Sequence, residues 1–463
     1  MLERGQAALA ADGRDLPPLT GLRFVAAFSV VLAHGVSTIL PIEETSFGPV
    51  YWLRQASGFG MTLFFVLSGF VIHYNYRMLA TGAGKEGLGA FLWARFARLY
   101  PLFILTLLLN ILVSSRFLRL LAGDSDSFAG LLSALPYFLV FTQSWFYMPV
   151  DGVPLISAIG GGSPMTWSIS TEWFFYLAYP SIALLLVRMR SSWQTALTII
   201  VWCGLWITLA SALYEASGIL DGWAGAWWPL HGTPEQNQQD SFSRWLLYLS
   251  PYVRIGEFVL GCLIAELFLQ LSSRGAAAAE RALGLVLLIL ACLSVPVITY
   301  LNYDPAAGIA FFRRLNMNFA LAPSAALIIF AVVRWHTPVS RLLASRPLVA
   351  LGEASYSIYL IHYVVFMVIV RTHVGLLTAP APNLIIEIVR FSMILGAIFG
   401  VSLVSYALSE APWGNRRRLV YLAAAPLVLA LIVASIAPAL VPSRQASADN
   451  VSGPYKMGPG SVR

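Results

Sequence analysis

Charge is the scarcest commodity in this sequence. Of 463 residues only 11% are Asp, Glu, Lys or Arg, where soluble domains carry roughly a quarter. Apolar residues make up 58% and gather in runs of about 20, the length that crosses a hydrocarbon core. No soluble fold buries that many such runs in one core, so the chain is a polytopic integral membrane protein. Cysteine is scarce too. Cys203, Cys262 and Cys292 each lie inside an apolar run with no second ligand nearby, which argues against a disulfide framework and a zinc site; we expect no bound metal. Lysine is almost missing, with Lys85 and Lys456 the only two, a bias we read as mostly genomic.

The net charge of +7 does not point to nucleic acid, because the basic residues sit in short loops between apolar runs. That is the positive-inside pattern, which reports orientation. The N-terminus lacks the compact basic region of a cleavable signal. Glu3, Asp12, Asp15 and the Pro17-Pro18 pair precede the first apolar run, so that run reads as a retained helix.

Hydropathy places crossings near 22–40, 57–76, 98–115, 166–187, 195–213, 251–271, 282–301, 318–334, 349–371, 385–409 and 419–441. Basic clusters at Arg416-Arg417-Arg418, Arg334/Arg341/Arg346, Arg274/Arg281 and Arg188/Arg190 are each two crossings apart and share one side. The cluster Arg77, Lys85, Arg95 and Arg98 must lie on that same, cytoplasmic side. Both halves agree only if 130–147 is a re-entrant or interfacial segment, broken at Pro136. The expected fold is all-α: a ten-helix transmembrane bundle plus one further C-terminal helix, with the N-terminus cytoplasmic, in the inner (plasma) membrane. Residues 1–15 then form a cytoplasmic arm, 16–415 the transmembrane domain, 416–441 the extra helix and 442–463 a flexible external tail rich in Ser, Gly and Pro. Ser163 and Pro164 read as the cap and first turn of a helix.

Ionisable residues inside a bilayer are costly and mark functional sites. His34 follows Arg23 by eleven residues, three helical turns or about 16 Å, so the two share a face. A neutral buried imidazole can take a proton from a hydroxyl; it can equally be a hydrogen-bonded core histidine. Arg95 and Arg98 stand three apart at the expected start of a helix, where their like charges repel and an anion between them would relieve the repulsion. Glu172 heads a polar stripe continued by Tyr176 and Tyr179; it could orient His34, bond an acceptor or pair with an arginine. Arg254 and Glu257, three apart, read as a structural pair. Ser355, Tyr359 and His362 share one face, and His73 reads as interfacial. The expected external loop 214–250 holds Trp223, Trp227, Trp228, His231 and a polar stretch from Glu235 to Asp240. Its aromatics suit stacking against sugar rings, or an interfacial belt.

Six segments, in order, resemble the signatures of the acyltransferase family 3 membrane proteins. They are Leu19-Thr-Gly-Leu-Arg-Phe-Val-Ala-Ala with His34, Phe64-Phe-Val-Leu-Ser-Gly-Phe70, Arg95-Phe-Ala-Arg-Leu-Tyr-Pro101, Thr166-Trp-Ser-Ile-Ser-Thr-Glu172 with Phe175-Tyr176, Arg254-Ile-Gly-Glu-Phe258 with Gly261, and Ser355-Tyr-Ser-Ile-Tyr-Leu-Ile-His362. That family includes O-acetyltransferases acting on lipopolysaccharide, exopolysaccharide, peptidoglycan, Nod factor and macrolide antibiotics. The resemblance implies a ten-helix bundle, acyl-CoA bound from the cytoplasm, the Arg-x-x-Arg pair near the CoA phosphates and the first-helix histidine at the reaction centre. Many members carry Glu-Glu-Gln where this chain has Glu172-Trp173-Phe174, so the second carboxylate's role does not transfer.

The resulting expectation is an O-acyltransferase moving an acyl group, acetyl in this reading, from acetyl-CoA to a hydroxyl of a cell-envelope or secreted glycan. His34 and Glu172 are the candidate catalytic residues, and Arg23, Arg95 and Arg98 hold the donor. Tyr176, Ser355, Tyr359, His362, Trp227 and Trp228 contact the acceptor. Direct attack and a covalent acyl-histidine both remain open, as does a different class, a transporter or flippase of a lipid-linked glycan. Acyl-CoA is a co-substrate, no permanently bound cofactor is expected, and the bilayer and the acceptor are the expected partners.

Overall fold

Long apolar runs fold as helices in a bilayer because every backbone N–H and C=O must be satisfied within the segment. The computed structural model describes residues 16–39, 53–81, 87–121, 123, 125–160, 163–228, 240–272, 278–303, 310–335, 337–371 and 384–409. Its longer helices are α1 (Pro17–Ile39), α2 (Ala56–Tyr76), α3 (Leu88–Leu112), α4 (Ser125–Leu139), α5 (Trp167–Leu186), α6 (Ser192–Glu215) and α7 (Ser217–Trp227). They continue with α8 (Pro251–Ser272), α9 (Ala278–Tyr303), α10 (Ala322–Arg334), α11 (Arg346–Glu353), α12 (Ser355–Arg371) and α13 (Leu384–Ser409). Among the described residues eight helices are long and apolar enough to cross a membrane. The protein is therefore a largely α-helical, multi-pass membrane protein. The expected arm 1–15, the extra helix near 419–441 and the tail 442–463 lie outside the described residues.

Several boundaries differ from those expected. The segment 318–334 is helical only over α10, whose 13 residues rise about 20 Å, short of a ~30 Å core. The expected helix 349–371 is two helices, α11 and α12, meeting at 65°. The segment 130–147 is not broken at Pro136. Pro136 lies inside α4, which lacks only the one N–H that proline cannot donate. The chain turns instead at Phe141, whose φ is 60°, with the Thr142 N–H donating to the Tyr137 carbonyl at 2.8 Å. Helix α3 starts at Leu88 rather than 98, so Arg95 and Arg98 lie in its second and third turns, not at its start. The expected loop 214–250 holds α7 and a π-helical turn, Trp245–Leu249, that leads into α8. Helix α5 is preceded by a 3-10 turn, Ser163–Thr166. Among the described residues the one departure from an all-α reading is a short hairpin pairing Pro149–Val150 with Val153–Pro154.

Helices α2 and α8 form the centre. A Cβ on Gly69 would lie 1.9 Å from the Phe258 carbonyl oxygen, and one on Gly261 would lie 2.1 Å from that of Val66. Only glycine permits this backbone-to-backbone approach, the small-residue packing by which membrane helices associate. Around the seam, Phe175 stacks on Phe258 at 5.0 Å and Phe65 meets Phe175 edge-on at 5.3 Å, a geometry that favours aromatic pairs. Helix α1 packs against α2, α11 and α12, and α5 against α8. The outward faces of α6 and α9, with Ile200, Val201, Leu290 and Leu293 exposed, are the surface offered to lipid.

Candidate active site

Two cavities open among these helices. The first, about 760 Å³, is lined by Arg23 of α1, Ser68 of α2, Arg95 and Arg98 of α3, Ser168, Glu172 and Tyr176 of α5, and Ser355 and Tyr359 of α12. The fold thus brings the three candidate donor-binding arginines onto one space. Their company is unbalanced, with Glu172 the single carboxylate among the described residues of the lining. Glu172 accepts from Ser68 Oγ at 3.1 Å and from the Tyr176 hydroxyl. It does not bond to His34. Arg95 donates from Nη2 to the Tyr76 hydroxyl at 2.8 Å, while its buried Nε has no hydrogen-bond partner among the described residues. A buried donor without an acceptor costs about 1–3 kcal/mol. An anion in this cavity would remove that cost, so the residues present fit a polyphosphate such as that of CoA.

The second cavity, about 1440 Å³, is lined by His34 of α1, Tyr359 and Tyr363 of α12, Trp167 of α5, and Trp245 and Tyr248 of the π-helical turn. Tyr147, Asp240 and Arg244 also face it. The Tyr147 hydroxyl donates to the Asp240 carbonyl at 2.9 Å. Burial raises the Asp240 carboxyl above its ordinary value, with Arg244 opposing the rise. Met61 and Tyr359 line both cavities and so form the wall between them. The Tyr359 hydroxyl is fixed by donating to the Met165 carbonyl at 3.0 Å and by its 2.7 Å contact with Ser168 Oγ. Arg23 and His34, on one helix, therefore serve different cavities.

His34 Nδ1 lies 2.9 Å from Nε2 of His362, with the rings nearly parallel. His362 Nδ1 lies 2.5 Å from the Tyr359 carbonyl oxygen. A carbonyl cannot donate, so His362 Nδ1 carries the hydrogen. In the uncharged pair, His362 Nε2 then accepts, His34 Nδ1 donates, and the lone pair of His34 falls on Nε2. One ring fixing the tautomer of the next is the logic by which a hydrogen-bonded partner orients a catalytic base. His362 thus meets His34 rather than the open cavity. Spacing within α12 predicts a shared face for Ser355, Tyr359 and His362, but nothing local in sequence joins positions 34 and 362.

The remaining candidates are scattered. Arg254 donates from Nη1 to both oxygens of Glu257, at 2.9 and 3.1 Å, and from Nε to the Tyr248 carbonyl at 2.9 Å. Its guanidinium lies 4.5 Å from the Tyr248 ring centroid, and Thr62 completes the shell on Glu257 at 2.8 Å. His73, read from sequence as interfacial, is fully buried within the protein. It donates to Glu266 at 2.9 Å, and its Nδ1 faces the Tyr179 hydroxyl at 3.2 Å. Arg77 closes the same carboxylate with two bonds of 2.6 and 2.8 Å. Trp227 and Trp228, at the end of α7, are exposed and line neither cavity. His231 and 235–239 lie outside the described residues. Residues that sequence reasoning passed over include Ser68, Trp167, Trp245, Tyr248 and Tyr363. Ser68 and Trp167 had a signal, since they sit in the Phe64–Phe70 and Thr166–Glu172 segments.

A membrane bundle that sets a histidine pair on one cavity and three arginines on the adjoining one suits a membrane-embedded transferase. The family model described as Acyltransferase domain matches residues 18–410, a span that includes every residue of both cavities, and the chain belongs to that family, acyltransferase family 3. It is similar to Acyltransferase MdmB of Streptomyces mycarofaciens, with 28% identity over 354 residues, 76% of this chain and 79% of that protein. It is also similar to the Putative peptidoglycan O-acetyltransferase YrhL of Bacillus subtilis (strain 168), with 25% identity over 76% of this chain and 49% of that protein. Peptidoglycan O-acetyltransferase OatA of Listeria monocytogenes serovar 1/2a (strain ATCC BAA-679 / EGD-e) is 24% identical over 86% of this chain and 55% of its own length. The chain thus spans about half the length of the latter two. No solved structure matches it.

Proposed function

We propose that this acyltransferase moves an acetyl group from acetyl-CoA, held in the arginine-lined cavity, to a hydroxyl of a cell-envelope or secreted glycan that enters the second cavity. The observation that carries the reading is the shared wall. Met61 and Tyr359 line both cavities, so an anionic donor on one side and a hydroxyl on the other meet beside the His34–His362 pair. Two relatives named as peptidoglycan O-acetyltransferases support a glycan acceptor. The donor cavity faces the cytoplasm of the inner membrane and the N-terminus is cytoplasmic, as the positive-inside distribution favours.

Arg23, Arg95 and Arg98 hold the donor's phosphates, with guanidinium forks suited to phosphate oxygens. His34 Nε2 takes the proton of the acceptor hydroxyl as its oxygen attacks the thioester carbonyl. The C–O bond forms, the C–S bond breaks, and the proton passes from His34 to the departing thiolate. His362 holds the His34 ring in the tautomer this requires. Glu172, fixed by Ser68 and Tyr176, keeps one negative charge beside the arginines and limits their mutual repulsion. General-base catalysis contributes roughly 10²–10⁴-fold, so His34→Ala should lower turnover by about that factor, with normal insertion and purification. Release of free CoA from acetyl-CoA and acceptor by the purified protein is the measurement. Near-normal turnover in the variant would remove the histidine from the chemistry, and absence of CoA release from the wild type with every acceptor would favour a glycan transporter.

A further inference from the structure

A third, smaller cavity of about 320 Å³ lies beside the second, on the far side of Tyr248, which lines both. Its walls come from α2 (Gln55 at its cap, Thr62), the end of α9 (Asn302) and the turns before α10 (Asn316, Asn318). Asn302 and Asn318 are each 3% exposed, yet the Oδ1 atom of each has no hydrogen-bond partner among the described residues. The orientation of Asn318 is fixed, because its Nδ2 donates to the Leu247 carbonyl at 2.8 Å. Its oxygen is thus an acceptor with nothing to accept. Buried amides in native proteins are nearly always satisfied, and exceptions point to an absent ligand or water. Two in one cavity, next to the space assigned to the acceptor, have a common cause.

The partition between these spaces is held rigid. Three successive carbonyls of the π-helical turn accept side-chain donors: Leu247 from Asn318, Tyr248 from Arg254 and Leu249 from Thr171. Single π turns recur at functional sites, and this one places the Tyr248 ring between the two cavities with Arg254 stacked on it.

We infer that the Asn302/Asn318 cavity is a second glycan subsite, binding through its carboxamide oxygens the hydroxyls of the sugar unit adjacent to the one acylated. Arg254 also lines this cavity, but its charge is met by Glu257, so the unmet groups are amide oxygens, which ask for hydrogen-bond donors without charge. That excludes the phosphate chemistry of the first cavity and matches a sugar ring, which presents several hydroxyls and one apolar face for Tyr248. The inference rests on the glycan-acceptor reading and narrows it: the acceptor is an oligosaccharide, gripped over at least two units.

The test uses the full chain in lipid nanodiscs and an immobilised array of N-acetylglucosamine oligomers from one to six units, read in duplicate. One copy measures retention of dye-labelled protein, and the other measures label transferred from radioactive acetyl-CoA. One hydrogen bond changes affinity by about fivefold and two by more than tenfold. The wild type should therefore retain the dimer and longer oligomers at least about tenfold better than the monomer. Asn302→Leu and Asn318→Leu should bring that ratio close to one while leaving monomer retention alone. Asn302→Asp, which keeps the accepting oxygen, should restore it and guards against misfolding as the cause. A ratio unaffected by either leucine variant, or no retention of any oligomer, would overturn the subsite and leave the orphan oxygens to buried water. Retention with the expected ratio but no transferred label would sink the acyl-transfer reading and leave the subsite standing.

Discussion

Two sets of arginines, both within the bundle, contrast sharply in their company. Arg254 and Arg77 each meet a carboxylate with two bonds, and Glu266 takes further donors from His73 and Gln270. Among the described residues, Arg23, Arg95 and Arg98 face a shared cavity with one carboxylate, itself occupied by Ser68 and Tyr176, and Arg95 Nε is left with no acceptor. A charge in low dielectric is tolerated only when paired and hydrogen-bonded. The first set meets that condition within the protein and so belongs to the architecture. The second would meet it with an anion in the cavity, as the proposed donor site requires.

The contrast is breakable, beginning with its strongest side. Removing a partner from a buried pair leaves an uncompensated charge and costs about 3–5 kcal/mol. Glu257→Ala should accordingly lower the melting temperature in detergent steeply or abolish the monodisperse peak on size exclusion, whatever the ligand. A Glu257→Ala protein as stable as wild type would erase the distinction between the sets. Arg95→Ala should leave melting close to wild type and weaken acetyl-CoA binding by roughly ten- to a hundredfold, the worth of a charge-assisted hydrogen bond. Lysine at that position should recover only part, because a point charge lacks the fork. Calorimetric titration reads both, and a destabilised Arg95→Ala with unchanged donor affinity would move Arg95 into the architectural set. The smallest effect is expected where no buried charge is involved. Trp227→Ala and Trp228→Ala, on exposed side chains, should each alter turnover by less than about twofold; a larger loss would bring the end of α7 into the acceptor path.

Much of this was legible in sequence, for a reason that differs between fold and site. A bilayer imposes length and polarity on each segment, so α2, α5, α6, α8 and α9 could be read one at a time. What failed were features set by neighbours: the shortness of α10, the corner at Ala354, and α4 running through Pro136. The site followed the same rule. Spacing put Tyr359 and His362 on one face of α12, but their partners lie on other helices. His73 looked interfacial because Glu266 is 193 residues away. Glu172 suited His34 in character, yet the nearby hydroxyls of Ser68 and Tyr176 hold it in the arginine cavity. The unsatisfied oxygens of Asn302 and Asn318 have no sequence signal, since only the folded chain shows which acceptors go unmet.

The glycine seam of α2 and α8 also decides which parts of this molecule can move. Packed side chains let helices slide by changing rotamer, but a contact between Cα and carbonyl has no rotamer to change. A step of either helix would drive the Gly69 or Gly261 backbone into its neighbour, so the two move as one body. That body carries Met61 and Ser68 on one helix and Arg254 on the other, at fixed spacing. If the proposed donor enters the arginine cavity, it must be accommodated by what surrounds this mast. Flexing at the 65° corner between α11 and α12 would have to break the Tyr359 contacts with Met165 and Ser168, so the wall between the cavities is tied down as well.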